Sequence, residues 1–322
     1  MKISYWTKSK GTGGRIRSPE DFVVREIIGR KFLRRYSIGK KISKPKKYNL
    51  LLIRKRDITT KSAIRKLAEY SGIPENYFGY AGLKDKFSVS YQYLTVNGDR
   101  KIEKISLDNV EIIEITKSEK FLSKGDLVCN EFEITLHGCK RNPEKIVAEL
   151  AKGMPNFFGP QRFGRHGDNH VIGRLLLKRQ FDVALEIINS HGKYYQKIKD
   201  VKKDVLKFYI HAYQSSLFNM ALNEYMKCRK PYFRDVRIPG CNTKLGNNKI
   251  EMLMKKFLEK DKINQKDFMI NELRMSVSGA NRTAFIKVSV KYQKQKDKVR
   301  LYFTLPKGSY ATIVTGEITK PG

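Results

Sequence analysis

Residues 79–88, Gly-Tyr-Ala-Gly-Leu-Lys-Asp-Lys-Phe-Ser, carry the pattern with the most chemical content in this sequence. Asp85 stands between Lys84 and Lys86, and flanking cations favour the ionised form of a carboxylic acid. The two glycines allow a tight turn or a close approach of the backbone to a ligand. This frame suits an ionised nucleophile or base that faces a polyanion, although a solvated turn of mixed charge would show the same spacing.

The net charge indicates the kind of partner. The chain has 66 Lys and Arg against 32 Asp and Glu, which gives +34 over 322 residues. So much like charge repels itself in a compact fold, and nucleic acid is the anionic partner that the excess predicts. Part of the lysine excess is also typical of heat-adapted proteins. The sequence has no run of about 18 apolar residues and no signal-peptide pattern, so we expect a cytoplasmic protein without a membrane partner.

Sites for metals or cofactors are not indicated by the motif spacings. His166 and His170 are separated by Gly-Asp-Asn, which favours a turn over a helix. The glycines at 11–14 lack the spacing of a dinucleotide-binding loop, and no P-loop occurs. The cysteines form no C-x-x-C pair: they are Cys129, Cys139, Cys228 and Cys241. We therefore predict no metal and no cofactor.

Hydrophobic periodicity predicts the elements that position Asp85. The apolar run at 48–54 predicts a buried strand, and Thr59 or Thr60 begins a helix that reaches about Tyr70 and ends at Gly72. A strand is predicted after Asp85. Hydrophobic patterns predict further strands at 22–27, 88–96, 110–115 and 131–136. They also predict a helix that begins at Asn142 or Pro143 and ends at about Lys152.

The order of the remaining elements predicts the domain organisation. Residues 156–273 have mostly helical periodicity, clearest over 205–227, and strand patterns return at 285–290, 299–305 and 310–318. Strands, then helices, then strands predict a helical domain inserted into a sheet domain. We expect a discontinuous sheet domain over 1–155 and 274–322, an inserted domain over 156–273, and C-terminal strands that pair with the N-terminal part of the sheet.

Residues 156–165, Asn-Phe-Phe-Gly-Pro-Gln-Arg-Phe-Gly-Arg, interleave aromatic and basic side chains. This composition is typical of contacts with single-stranded RNA, and also of a packed hinge between domains. We expect the phenylalanines to pack and Gln161 and Arg162 to face the RNA. The lysine clusters at 40–47 and 197–203 are expected to be solvated faces that can also contact phosphates.

Several separated blocks carry a resemblance to a known family. They are Pro19-Glu20-Asp21-Phe22-Val23-Val24, Ala81-Gly82-x-Lys84-Asp85 with Gln92, Gly125-Asp126-Leu127 with Asn130-x-Phe132, Pro155-Asn156-Phe157-Phe158-Gly159-x-Gln161-Arg162-Phe163-Gly164, Gln214-Ser215-x-Leu217-Phe218-Asn219, and Pro306-x-Gly308-Ser309-Tyr310-Ala311-Thr312. In this order they resemble the TruD-type tRNA pseudouridine synthases. The length of the chain indicates a prokaryotic or archaeal member.

The resemblance implies a fold and an activity. The fold is α+β, with a pseudouridine synthase core around a mixed, mainly antiparallel sheet and a largely helical inserted domain. The activity is the isomerisation of a specific uridine of tRNA, at position 13 or also at 35, without cofactor or metal. Asp85 would be the catalytic carboxylate, which attacks or deprotonates the ribose or adds to the uracil ring after the base is flipped out.

The resemblance also assigns supporting residues. Arg17 would pair with Asp85. In relatives the basic residue often lies three positions before the proline of the Pro19 block, where this chain has Ile16, so Arg15 is an alternative. Lys84 and Lys86 are further alternatives. Asn130 would hold the uracil edge or the loop. Phe132 would stack on the flipped uracil, although its alternation with hydrophobic residues on one strand favours a core position. Residues expected to contact RNA are Lys84, Lys86, Gln92, Asn156, Gln161 and Arg162.

Two other classes of protein fit the charge. A non-catalytic RNA-binding or ribosome-assembly protein needs no carboxylate in such a frame, so Asp85 is the feature that distinguishes it from an enzyme. An RNA methyltransferase would need a glycine-rich loop after a strand to bind its methyl donor. The glycines at 11–14 follow no predicted strand, which disfavours this third class.

Overall fold

A computed structural model of the chain describes residues 3–29, 32, 48–98, 102–228 and 230–321, so the lysine cluster at 40–47 lies outside the described residues. The strands within these ranges are β1 (Phe22–Ile28), β2 (Tyr48–Arg56), β3 (Phe78–Tyr80), β4 (Val89–Asn97), β5 (Ser106–Leu107), β6 (Val110–Ser118), β7 (Leu127–Leu136), β8 (Met154–Pro155), β9 (Asp235–Ile238), β10 (Met269–Ile270), β11 (Met275–Ser276), β12 (Ala280–Thr283), β13 (Phe285–Ile286), β14 (Lys291–Gln295) and β15 (Lys298–Pro306). The helices are α1 (Thr60–Ser71), α2 (Glu144–Lys152), α3 (Asn169–Leu177), α4 (Phe181–Ser190), α5 (Lys203–Tyr225), α6 (Lys249–Asp261) and α7 (Ala311–Thr319).

A mixed sheet joins the N-terminal strands to strands from the C-terminal part of the chain. Its order is β14-β15-β7-β1-β4-β2-β6-β5, with β3 also paired to β4. Strands β1 and β4 run parallel, and the other pairs described in this sheet are antiparallel. Strand β15 lies beside β7, with Leu301 opposite Ile134. The predicted mixed, mainly antiparallel sheet is confirmed. The predicted pairing of a C-terminal strand with the N-terminal part of the sheet is confirmed as well.

Helix α1 begins and ends as its sequence predicts. The side chain of Thr59 accepts a hydrogen bond from the backbone N–H of Ser62, and Gly72 ends the helix with a left-handed φ of 67°. Its buried hydrophobic side chains are Ala63, Ile64 and Leu67, which belong to one hydrophobic cluster with residues of β2 and β4. Ile64 and Leu67 each contribute about 1.5–3 kcal/mol of transfer free energy when fully buried. Helix α1 is thereby fixed on one face of the sheet.

The chain divides into two compact units, which we call the sheet unit and the helical unit. The sheet unit comprises Lys10–Val147, Val288–Gly308 and Ile318–Gly322, and it contains the mixed sheet and α1. The helical unit comprises Met1–Ser9, Ala148–Lys287 and Ser309–Glu317. The domain boundaries predicted from the sequence, after 155 and after 273, stay a prediction.

The helical unit is built around α5, which covers most of the helix predicted at 205–227. Most of the α5 side chains from Leu206 to Leu222 are buried, so this helix lies inside its unit. Helix α3 approaches it closely at Gly173, where a Cβ atom would lie 2.1 Å from the carbonyl oxygen of Tyr209. Glycine is therefore required there for the two helices to pack at this distance.

Two predicted strands near the C-terminus are corrected. The sequence predicts a strand at 310–318, but the chain forms helix α7, although β-branched residues are frequent there. Four of its buried positions are Ala311, Val314, Thr315 and Ile318, a spacing of i, i+3, i+4 and i+7 that fits one helical face, and Glu317 beside them is buried as well. Burial thus overrides local β propensity. The strand expected at 285–290 is limited to β13, Phe285–Ile286.

None of the helices in the described ranges combines the length and the apolar character needed to cross a membrane.

Candidate active site

One face of the sheet carries a row of side chains that includes the candidate site residue Phe132. Lys55 on β2 lies opposite Ser90 on β4, and Ser90 lies beside Val24 on β1. Val24 is paired with Phe132 on β7, and Phe132 with Phe303 on β15. Residues paired across strands point to the same face of a sheet. The row therefore carries a lysine at one end and two phenylalanine rings at the other.

A second row lies one step further along the same face. Side chains two residues apart on a strand share a face of the sheet. The second row therefore contains Gln92 on β4, Glu26 on β1 and Asn130 on β7, each two positions along its strand from a residue of the first row. Glu26 is directly opposite Asn130 in the pairing of β1 with β7. The second row is thus polar, and the loop with Asp85 connects to it.

Lys84, the residue before Asp85, joins this second row. Its ammonium lies 2.6 Å from a carboxylate oxygen of Glu26 and donates to the side-chain oxygen of Asn130 at 2.6 Å. Only 5% of the Lys84 side chain and none of the Glu26 side chain is exposed. Burial raises the pKa of Glu26, and the charge of Lys84 opposes that rise. Lys84 was expected to contact RNA, and this expectation is corrected because its ammonium is enclosed by these two partners.

Gln92 also holds the Asp85 loop, through hydrogen bonds of its side chain. Its side-chain amide donates to the carbonyl oxygen of Gly82 at 2.6 Å, and its side-chain oxygen accepts from the Thr60 hydroxyl at 3.0 Å. The Thr60 hydroxyl in turn accepts from the backbone N–H of Lys84 at 2.9 Å. Gln92 is fully buried. We expected it to contact RNA, but the structure gives it a role in positioning the loop instead.

Asp85 itself is exposed, while its backbone is held in place. The Asp85 carbonyl oxygen accepts from the Lys55 ammonium at 2.7 Å and from the Ser88 hydroxyl at 2.9 Å. Lys86 is exposed as well, which leaves it available for phosphate contacts. The apolar side chains of Leu83 and Phe87 on the same loop are also exposed. The loop therefore presents a carboxylate with apolar and cationic neighbours to the outside, on a backbone that buried groups fix.

Lys55 and Glu26 are residues of this site that the sequence reasoning missed. Lys55 is fully buried, and burial lowers its pKa to about 8, although the carboxylate of Asp85 raises it. A signal for both was present in the sequence. Lys55 continues the buried alternation of Leu51 and Ile53 on β2, and Glu26 occupies a buried position in the alternation of β1. A charged residue in phase with an apolar face must be paired or hydrogen-bonded inside the protein.

Phe132 packs within the sheet unit, as its alternation predicts. It is 8% exposed, its ring stacks on Phe303 with centroids 5.3 Å apart, and Phe22 meets its ring edge-on at 6.0 Å. These contacts fix the orientation of the ring. Its position in the same row as Lys55 also places it on the face that the Asp85 loop adjoins.

The structure does not bring Arg17 to Asp85. Arg17 is exposed, and its backbone N–H donates to a carboxylate oxygen of Asp21 at 2.9 Å. Within the described ranges the Arg17 guanidinium forms no ion pair. The expected pair is therefore not formed in this structure, where the carboxylate of Asp21 binds the Arg17 segment instead.

Asn156 has a structural position in the helical unit. Its side-chain amide donates to the carbonyl oxygen of Thr283 at 3.0 Å, and its side-chain oxygen accepts from Arg282 at 3.0 Å. The residue is buried, so the expected RNA contact of its side chain is corrected. Gln161 is exposed, and its side-chain oxygen accepts from the Thr312 hydroxyl at 3.2 Å.

Arg162 lies over aromatic rings of the helical unit. Its guanidinium carbon is 5.4 Å from the centroid of Phe158 and 5.9 Å from that of Phe208, which is 39% exposed. Its Nε is buried without a hydrogen-bond partner, and no carboxylate of the described residues pairs with its charge. The expected packing of Phe157, Phe158 and Phe163 is confirmed, because all three belong to the core of this unit.

Comparisons with known proteins agree with this architecture. The family model "tRNA pseudouridine synthase D (TruD)" matches residues 2–197 and 228–318. A relative from Pyrococcus abyssi, described as "Probable tRNA pseudouridine synthase D", is 28% identical, with 99% of each chain covered. A tRNA pseudouridine synthase D from Aquifex aeolicus is 27% identical, with 92% of this chain and 95% of the relative covered.

A solved structure shows the same fold. The crystal structure of a candidate tRNA pseudouridine synthase D (TruD) from Methanosarcina mazei is similar with a TM-score of 0.70 and 22% identity, covering 98% of this chain and 96% of that one. The α+β fold expected from the sequence is therefore confirmed. Since the family model matches most of the 322 residues, the chain belongs to the tRNA pseudouridine synthase D (TruD) family.

Proposed function

We propose that this protein isomerises a specific uridine of tRNA to pseudouridine, with Asp85 as the catalytic carboxylate. The observation that carries the proposal is the combination of an exposed Asp85 side chain with a backbone held by buried Lys55. Family membership and the names of the relatives support the reaction and the substrate class. The net charge of +34 fits a large RNA substrate.

The chemistry requires little beyond a positioned carboxylate and a pocket for the base. The bond between C1′ and N1 breaks, C1′ bonds to C5, C5 loses its proton and N1 gains one, so that the product is an isomer. The carboxylate acts as a nucleophile at the ribose or the uracil, or as a base at the ribose. The buried supports of the Asp85 backbone serve each of these roles, because each requires a fixed carboxylate.

The uracil must leave its stack to reach Asp85. Extruding a base costs a few kcal/mol, and stacking on an aromatic ring returns about 1–3 kcal/mol. We assign that ring to Phe132, whose orientation is fixed by Phe22 and Phe303. Asn130 holds the loop through Lys84, and Lys86 and Arg162 contact phosphates. The target is position 13 of tRNA, with position 35 as a second site.

Tritium release from tRNA transcripts labelled at C5 of uridine tests the function, since the C5 hydrogen is lost when the C–C bond forms. Protein and tRNA alone, without an added cosubstrate, should release tritium, and sequencing of the product should map the modified uridine. Asp85→Asn is nearly isosteric and should bind tRNA with unchanged affinity but release no tritium. A folded Asp85→Asn variant with full activity would refute the assignment, and a wild-type protein that binds tRNA without release would support a non-catalytic RNA-binding protein.

A further inference from the structure

Lys55 lies beneath the Asp85 loop in a position that lysine seldom occupies. Its side chain is fully buried on β2, whereas lysines are almost always exposed. Its ammonium donates to the carbonyl oxygens of Ile58 and Asp85, each at 2.7 Å. Ile58 lies between β2 and α1, so one ammonium connects the start of a helix fixed on the sheet to the backbone of the catalytic residue.

The charged groups around Lys55 act on it from two sides. Asp85 and Asp57 favour its charged form, while Lys84 and burial disfavour it, and burial dominates. The residues paired with Lys55 on the two adjoining strands are Ser90 and Val110. Neither side chain is ionised near neutral pH, so neither adds a charge beside Lys55. Removing the proton leaves an amine with two N–H groups, which can still donate to both carbonyls. The hydrogen bonds then lose their charge, and charge-assisted hydrogen bonds are roughly twice as strong as neutral ones.

We propose that Lys55 is a positioning residue for the reaction, and that its charged ammonium holds the Asp85 backbone in the geometry for catalysis. The proposal rests on the proposed function of Asp85. Lys55 has no exposed surface and does not touch the RNA, so it acts through the loop alone. A catalytic group displaced by about 1 Å can lose about 10²-fold in rate.

The distinguishing measurement is the single-turnover rate of tritium release at saturating tRNA, followed from pH 6 to pH 9.5. Wild-type protein should lose rate as pH rises through about 8, the pKa to which burial lowers Lys55. Lys55→Met should be about 10²-fold slower at pH 7, and its residual rate should not fall in that interval. Lys61→Met is the matched control because Lys61 is an exposed lysine on α1, and it should follow the wild-type profile.

Stability should move in the opposite direction to the rate. The Lys55 pKa is lowered in the folded state, so between about pH 8 and the ordinary value of 10.5 the unfolded chain binds more protons. This group therefore adds stability as pH rises through that window. A rate that falls while the denaturation midpoint does not fall separates loss of positioning from unfolding. Affinity for tRNA should stay within about threefold in Lys55→Met, because phosphate contacts supply most of it.

Each remaining outcome supports or overturns the proposal. A folded Lys55→Met variant within about threefold of Lys61→Met at pH 7 overturns it, as does a wild-type rate that stays constant to pH 9.5. If Lys55→Met does not fold, Lys55→Arg replaces it in the test, because arginine keeps its charge at all these pH values. The residual rate of Lys55→Arg should persist above pH 8. A Lys55→Arg rate that falls with that of the wild type overturns the positioning role of Lys55. If the wild-type protein is active and Asp85→Asn is inactive, these outcomes overturn the role of Lys55 and leave the proposed function intact. A wild-type protein that releases no tritium removes both the function and this role.

Discussion

The Lys84 ammonium lies 2.6 Å from the Glu26 carboxylate, and both side chains are almost completely buried. Lys84 directly precedes Asp85, and Glu26 belongs to β1, which lies between β4 and β7 in the sheet. The ion pair therefore attaches the Asp85 loop to the sheet. A buried pair of this kind is a weak source of net stability, but breaking it leaves an uncompensated charge inside the protein.

We predict that Lys84→Met lowers the free energy of unfolding by about 3–5 kcal/mol, because the Glu26 carboxylate loses its buried partner. The double variant Lys84→Met/Glu26→Met should regain most of that loss, since an apolar pair replaces the ion pair. Denaturant unfolding at pH 7 measures both. Lys86→Met is the matched control because Lys86 is exposed, and its midpoint should not change. Equal losses for the single and the double variant would contradict the pairing argument.

The pH dependence of stability should identify Glu26 as the partner that titrates. Burial raises the pKa of Glu26 above its ordinary value of 4.5. Its contribution to stability is therefore fully present below about pH 4.5 and is lost as pH rises through the folded-state pKa. Because Glu26→Gln does not titrate, the free energy of unfolding of wild type minus that of Glu26→Gln should fall as pH rises. The slope should be at most about 1.4 kcal/mol per pH unit. Denaturant unfolding of both proteins from pH 4.5 to pH 8 measures it, and a difference that rises with pH would show that Lys84 outweighs burial.

The sequence predicted those parts of the fold that depend on local pattern. The ends of α1 followed from Thr59 and Gly72, and the strand before Asp85 followed from the continuous apolar run at 48–54. It failed at α7, where the β-branched residues of 310–318 favour a strand in isolation. Burial at helical spacing decided the matter there, and burial depends on the rest of the chain.

The sequence drew attention to Asp85 but did not show which residues hold its loop. Asp85 was indicated by its flanking lysines and glycines, which are adjacent in sequence. The family resemblance assigned Lys84 and Gln92 to the RNA interface, but both are buried. Their burial depends on Glu26 and Thr60, which lie far away along the chain and approach them only through the sheet register. The alternation of β1 indicates that Glu26 is buried, but no local pattern shows that Lys84 is its partner.

Gln92 should affect turnover without affecting affinity for tRNA. Gln92→Leu leaves the Gly82 carbonyl and the Thr60 hydroxyl without this partner, and each buried polar group that loses its hydrogen bond costs about 1–3 kcal/mol. The resulting movement of the loop should lower the rate of tritium release by about 10²-fold. Gln293→Leu makes the same change at an exposed position of β14 and should retain the parental rate. Weaker tRNA binding with an unchanged maximal rate would restore the original assignment of Gln92 to the RNA interface.

Phe132 is expected to act on the flipped base through its ring. Phe132→Leu keeps most of the apolar volume, so it should cost less than about 1.5 kcal/mol of stability. Loss of aromatic stacking worth about 1–3 kcal/mol should slow single turnover by roughly 5- to 150-fold. Phe78→Leu is a matched control, because Phe78 is equally buried in a different cluster of the sheet unit. Rates that fall only in proportion to unfolding in both variants would show that Phe132 serves packing alone.

Arg162 should contribute to the salt dependence of tRNA binding. Its charge has no carboxylate partner among the described residues, and it lies beside the exposed ring of Phe208, so it is available to a phosphate. Arg162→Ala should weaken binding and reduce the slope of log affinity against log salt by about one. Arg162→Lys should keep that slope, because counterion release depends on charge. Arg174→Ala is the control in the same unit, since Arg174 is already paired with Asp261 and should change the slope less. Affinities measured from 50 to 300 mM salt decide the matter, and an Arg162→Ala variant that binds like the parent at every concentration would leave this arginine with a packing role over Phe158 and Phe208.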